Sequence, residues 1–202
     1  MRPRNFPTTF KKNLFQLFIY LKQNVYLIMF SSFSNTYFFT STINSWQNLL
    51  IKNERKQIII NSLKYLVEKN RILLHAFVIM PNHIHLLFTL CEEEVQEKFQ
   101  RDFLRFTSQQ IIKSMINGNE EDELLKYRST QKDRIYHIWE RRPMWIHIEN
   151  SMILEQKLDY IHNNPLQNKW KLCASPEDYE WSSASYYLSE QKTFDFLCDF
   201  RD

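Results

Sequence analysis

The stretch RILLHAFVIMPNHIHLLFTL, Arg71 to Leu90, constrains the fold more than any other part of the chain. Two apolar runs, Arg71–Ile79 and His83–Leu90, have strand length and flank Met80-Pro81-Asn82. Proline there pre-sets φ and asparagine tolerates an unusual backbone, so the tripeptide reads as a turn and the runs as an antiparallel pair. Side chains alternate along a strand. Ile84, Leu86, Phe88 and Leu90 therefore share one face, and His83, His85, Leu87 and Thr89 the other.

Other elements fall around this pair. Thr36–Ile43 is aromatic and β-branched and predicts a first strand. Leu50–Asn70 predicts a helix from Ile51, Ile58, Leu63 and Leu66. Glu92–Ile116 predicts a long amphipathic helix with Val95, Phe99, Phe103 and Phe106 as its apolar stripe. Its other side carries Lys98, Arg101, Arg105 and Ser108; such a basic stripe is ordinarily a solvated face, and alternatively a track for a DNA backbone. Asn117–Arg134 reads as a surface loop, Tyr136–Glu149 as a strand region, and Ser151–Asn163 as a helix ended by Pro165. The order β-α-β-β-α-β with a further helix is the ferredoxin-like pattern, an α+β fold with an antiparallel sheet and helices on one face. Helices packed on the Ile84/Leu86/Phe88 face leave the His83/His85 face open.

A chain of 202 residues fits one domain, assigned to residues 35–202, with residues 1–34 as an N-terminal extension. An apolar fraction of 44% excludes a disordered chain, and a net charge of +3 permits a nucleic-acid partner without requiring one. The one glycine, Gly118, leaves turns to Pro, Asn, Asp and Ser. Cys91, Cys173 and Cys198 form no C-x-x-C pair, which argues against a disulfide framework or zinc knuckle and for a reducing cytosol. Near the N-terminus, Arg2, Arg4, Lys11 and Lys12 precede the apolar run Leu14–Leu21. Lys22, Gln23 and Asn24 interrupt that run before it spans a bilayer, and no small-residue cleavage site follows. A packed helical extension, or a true start at Met29, is expected.

The chemistry concentrates in two motifs. H-x-H on a strand brings two imidazoles to one side, close enough to chelate a cation, although such a pair also arises by chance, by packing or in zinc sites. In Asp159-Tyr160-Ile161-His162-Asn163-Asn164-Pro165, Tyr160 lies off the Leu154/Leu158/Ile161 stripe, on the flank with Lys157 and Asn164. By position alone, a half-buried tyrosine with its hydroxyl in water is the commoner outcome. Asn164 follows by four residues and shares its face. If this helix crosses the open sheet face, His83, His85 and Asn164 can hold one divalent cation with the tyrosyl oxygen nearby. His75, His137 and His147 have no partner pattern and read as structural, and His162 points to another helix side. Arg141 and Arg142, in Trp-Glu-Arg-Arg, can contribute to phosphate binding or simply lie on the surface.

VIMPNHIHLLF, LDYIHNNP and PEDYEWSSASYY, in that order, resemble the small single-tyrosine transposases of the HUH class, closest to the REP-associated tyrosine transposases. The resemblance runs from about Asn35 to the C-terminus. It implies that His83 and His85 bind Mg²⁺ or Mn²⁺ with Asn164 as third ligand. It further implies that Tyr160 attacks the scissile phosphate of single-stranded, hairpin-containing DNA, leaving a 5′-phosphotyrosine and a free 3′-hydroxyl. The expected setting is cytoplasmic, without a membrane, as a monomer or homodimer. Imidazoles alone suit zinc equally, so the choice of Mg²⁺ or Mn²⁺ rests on the resemblance. Two alternatives stand beside it: a nucleic-acid-binding module that has lost cleavage, and an unrelated zinc hydrolase that gives Tyr160 no role. Where many relatives carry glycine after Asn-Pro, this chain reads Leu166-Gln167-Asn168-Lys169-Trp170, so a left-handed residue there falls to Asn168 or another residue.

Overall fold

In the computed structural model, residues 33–131, 134–189 and 193–201 are described; the apolar run Leu14–Leu21 and Met29 lie outside them. Four strands, β1 (Thr36–Thr42), β2 (Ile72–Ile79), β3 (His83–Leu90) and β4 (Met144–His147), form one sheet in the order β2-β3-β1-β4. Every neighbouring pair is antiparallel. The helices are α1 (Asn53–Glu68), α2 (Gln96–Asn117), the single turn α3 (Glu121–Leu124), α4 (Ser151–Asn163) and α5 (Ala184–Leu188). This is the ferredoxin-like order expected from β-α-β-β-α-β.

The two faces of β3 belong to two cores. Ile84, Leu86 and Phe88 pack with Ile59 and Leu63 of α1 and Phe99, Phe103 and Ile111 of α2. Leu87 packs on the opposite face with Phe38, Val78 and α4's Leu154 and Ile161. The histidine face is therefore roofed by α4 rather than bare.

β2 lies at the sheet edge, where unpaired backbone groups template unwanted pairing. The C-terminal segment covers them. Ile79 N–H donates to Trp181 O and Ser183 N–H to Phe77 O, both at 2.9 Å, and Cys198 N–H reaches Leu74 O at 2.9 Å. Tyr179 Oη adds a bond to Ile79 O, and Tyr187 Oη one to His75 O. The PEDYEWSSASYY block is thus an edge clamp.

Three expectations change. Asn117–Arg134 is not a plain surface loop: it holds α3 and buries Leu124 and Tyr127. Burial pushes the Tyr127 phenol up to about 12. Only Met144–His147 of the 136–149 region is a strand, with isolated bridges at Tyr136 and Trp139. On α2 the buried stripe is Phe99, Phe103, Thr107, Ile111 and Met115, while Val95 and Phe106 are half exposed. Gly118 caps α2 at φ −86°, and left-handed backbone falls on Ser45, Trp46, Asn70, Asn119 and Lys171 instead. Lys171 is the left-handed residue after Asn-Pro, the alternative to Asn168 that the sequence left open.

Candidate active site

His83 and His85 project from β3 beneath α4, both at most 5% exposed, with ring centroids 4.7 Å apart. Each ring is held through Nδ1. Asn82 Nδ2 donates to Trp46 O at 3.1 Å, which turns the Asn82 amide oxygen toward His83 Nδ1 at 2.7 Å. An amide oxygen only accepts, so the His83 proton sits on Nδ1 and Nε2 presents a lone pair. His85 Nδ1 is hydrogen bonded to Thr40 Oγ1 at 2.7 Å, across the Thr40–His85 strand pair, and its buried Nε2 has no partner.

Burial keeps both rings neutral. It lowers the His83 pKa to about 4; a side-chain interaction with Asn164 partly opposes this, and Lys169 adds to it. His85 falls to about 2 through burial first, then the neighbouring His83, Lys169 and Lys157. Neutral imidazole is the form that binds a metal.

α4 carries the remaining groups. Asn150 caps it, accepting from Ile153 N–H at 3.0 Å. Leu154 and Ile161 point into the core, which leaves Tyr160 on the flank, 44% exposed. Its ring meets His85 edge-on at 5.1 Å and Phe38 at 5.9 Å between centroids. Past the helix end, a 3-10 turn over Asn164–Leu166 buries Asn164 to 1% exposure, and its Oδ1 completes no hydrogen bond. Lys157 Nζ lies 5.1 Å over the Phe38 ring, and Trp170 packs 5.9 Å from His83 with Lys169 over its face. His162 points away from the site, to Ser183 Oγ at 2.9 Å, and burial lowers its pKa to about 4.

Two buried acceptors without partners, His85 Nε2 and Asn164 Oδ1, are costly unless something satisfies them. Together with the His83 lone pair they make a donor set of two imidazole nitrogens and one carbonyl-type oxygen, which fits a divalent cation. No group of three or more His, Cys, Asp or Glu able to hold a metal exists among the described residues, so an amide would have to complete such a set.

The site thus gathers His83, His85, Tyr160 and Asn164. It does not gather Lys98, Arg101 or Arg105, because α2 packs on the opposite sheet face. There Lys98 lies 3.7 Å from Glu94, and Arg101 3.1 Å from Asp102. Arg141 and Arg142 precede β4 and line a cavity with Thr42, beside His83 in the sheet. Sequence reasoning missed Thr40, Lys169 and Trp170 as site residues and took Asn82 only as a turn former. The strand register that pairs Thr40 with His85 is a tertiary property with no local signal.

A solved structure shares this topology. The chain aligns with the structure of a REP-associated tyrosine transposase bound to a REP hairpin at a TM-score of 0.52 and 21% identity. That alignment covers 75% of this chain and 78% of the other. The two share a fold. A candidate transposase from Deinococcus radiodurans R1 aligns at a TM-score of 0.44 and 17% identity, over 63% of this chain and 88% of that one. Neither a protein-family model nor a curated protein matches the chain. No helix among the described residues is long and apolar enough to cross a membrane.

Proposed function

We propose that the chain is a transposase-like DNA transesterase that cleaves and rejoins single-stranded, hairpin-containing DNA through Tyr160. The observation that carries this reading is the convergence of His83, His85 and the orphaned Asn164 Oδ1 beneath a half-exposed tyrosine. A purely structural tyrosine needs no such neighbours. A zinc hydrolase on the same histidines leaves Tyr160 without a role.

His83, His85 and Asn164 would hold Mg²⁺ or Mn²⁺, which when bound polarises the scissile phosphate and stabilises charge as it develops. The phenolic oxygen of Tyr160 attacks phosphorus, the bond to the 3′-oxygen breaks, and that oxygen takes up a proton as the phenol loses one. A 5′-phosphotyrosine and a 3′-hydroxyl result. Attack by a 3′-hydroxyl reverses the step, so the phosphoester energy is kept and rejoining needs no ATP. Lys157 and Lys169 raise the positive potential around the histidines, which favours an approaching phosphate.

Incubation with Mn²⁺ and a panel of labelled hairpin DNAs tests the reading. The expected outcome is an SDS-resistant protein–DNA adduct that Tyr160→Phe abolishes. Strand cleavage that survives Tyr160→Phe overturns it.

A further inference from the structure

A second feature stands beside the histidines. An open cavity of about 400 Å³ is lined by Thr42, Trp46, His137, Glu140, Arg141 and Arg142. We infer that it binds one unpaired nucleotide of the DNA strand, with the base stacked on Trp46 and the phosphates on Arg141 and Arg142. This rests on the DNA-processing reading above and extends it to how the strand is seated.

Four observations carry it. Trp46 is 62% exposed, an unusual position for so large an aromatic ring, and presents a face on which a base can stack. Its turn is held rather than loose: Ser45 and Trp46 are consecutive left-handed residues, at φ 55° and 56°, neither of them glycine. Ser45 N–H donates to Glu140 Oε1 at 2.8 Å, Asn44 N–H to Ile138 O and Glu140 N–H to Thr42 O, both at 2.8 Å. These bonds zip the cavity's two walls together and engage its one carboxylate. Arg141 and Arg142 are both exposed, and neither forms an ion pair among the described residues. The cavity therefore offers an aromatic face and two guanidinium groups, which matches a nucleotide better than an apolar ligand or a cation.

Position ties the cavity to the chemistry. Thr42 pairs with His83 across β1 and β3, so their side chains share a face. Asn82 binds Trp46 O with one end of its amide and His83 Nδ1 with the other. A nucleotide held at Trp46 would lie along the strand end that leads to the histidine pair.

Fluorescence anisotropy in EDTA, with one hairpin carrying single-stranded tails and the same hairpin blunt, tests this without turnover. Trp46→Ala should weaken tailed-hairpin binding about 10- to 100-fold and change blunt-hairpin binding about twofold or less, the loss expected for one stacked base. Trp46→Phe keeps a stacking face and should stay close to wild type, which also guards against a folding defect. The Arg141→Ala/Arg142→Ala double variant should flatten the dependence of log affinity on log salt by about 1.4, the slope for two phosphate contacts on a single strand. Tailed-hairpin binding unchanged in Trp46→Ala, or lost equally for both hairpins, overturns the inference. If the wild type forms the Mn²⁺-dependent adduct while Trp46→Ala binds normally, only this inference falls. If Trp46→Ala loses tail binding selectively while the wild type forms no adduct, the seat stands and the cleavage reading falls. Wild type that binds neither hairpin overturns both.

Discussion

Asn82 sets the protonation of His83, and Asn82 and Thr40 together aim the two rings of the candidate site. One amide joins Trp46 O to His83 Nδ1, and one hydroxyl meets His85 Nδ1, so both rings are fixed through Nδ1. Such partners commonly change metal affinity by 10- to 100-fold. Thr40→Val keeps the β-branched shape and removes the hydrogen bond. It should weaken Mn²⁺ binding by about that factor, read by electron paramagnetic resonance titration, with the melting temperature little changed. Unaltered Mn²⁺ affinity would show that His85 is oriented by packing alone. At this scale the sequence was partly legible. The two histidines, Tyr160 and Asn164 stood out because short spacings on a strand and a helix fix their faces. Thr40 could not, because it meets His85 only through a register set 45 residues away.

At the scale of elements, α4 brings Tyr160 over the sheet, and its ends are both locally encoded. Asn150 caps the start and Pro165 forces the tighter turn that buries Asn164. Asn150→Ala should cost about 1 kcal/mol, measurable by urea unfolding, and an unchanged midpoint would contradict the cap assignment. His162 and Ser183 pin the same helix to the edge clamp. The hydroxyl of Ser183 also meets the Phe77 backbone. Ser183→Ala leaves buried polar groups unpaired and should destabilise by about 1–3 kcal/mol. The sequence showed α4 from Ser151 to Asn163 without error because its periodicity and stop signal agree. On α2 it misled. The buried row runs 99, 103, 107, 111, 115, and each four-residue step rotates about 40°, which carries the face away from Phe106. Thr107 takes the buried place because its hydroxyl is satisfied, donating to Phe103 O and accepting from Trp139 Nε1. An apolar count along one helix cannot anticipate a partner on a distant segment.

For the whole molecule, four buried histidines link stability to pH. His75, His83, His85 and His162 all have pKa values lowered by burial from 6.5, with His83 and His162 near 4 and His85 near 2. The unfolded chain therefore binds more protons than the folded one below about pH 6.5. Stability held above that pH should fall as pH drops toward 4, with a limiting slope of about 1.4 kcal/mol per unit for each histidine. Denaturation midpoints that stay level between pH 7 and pH 5 would contradict burial of the neutral rings. The ferredoxin-like order was legible because strand and helix periods alternate cleanly along the chain. The roofing of the histidine face by α4 was foreseen only as a condition, since it depends on Leu154 and Ile161 finding Leu87 and Val78 across the sheet.

The most direct test of the central claim is the site of covalent attachment. After reaction with Mn²⁺ and a cleavable hairpin, nuclease trimming and proteolysis leave a short nucleotide on the attacked residue, located by tandem mass spectrometry. A 5′-linked nucleotide on Tyr160, with a free 3′-hydroxyl on the released strand, is the expected result. A nucleotide on any other residue, or cleaved DNA with no nucleotide on the protein, would contradict it.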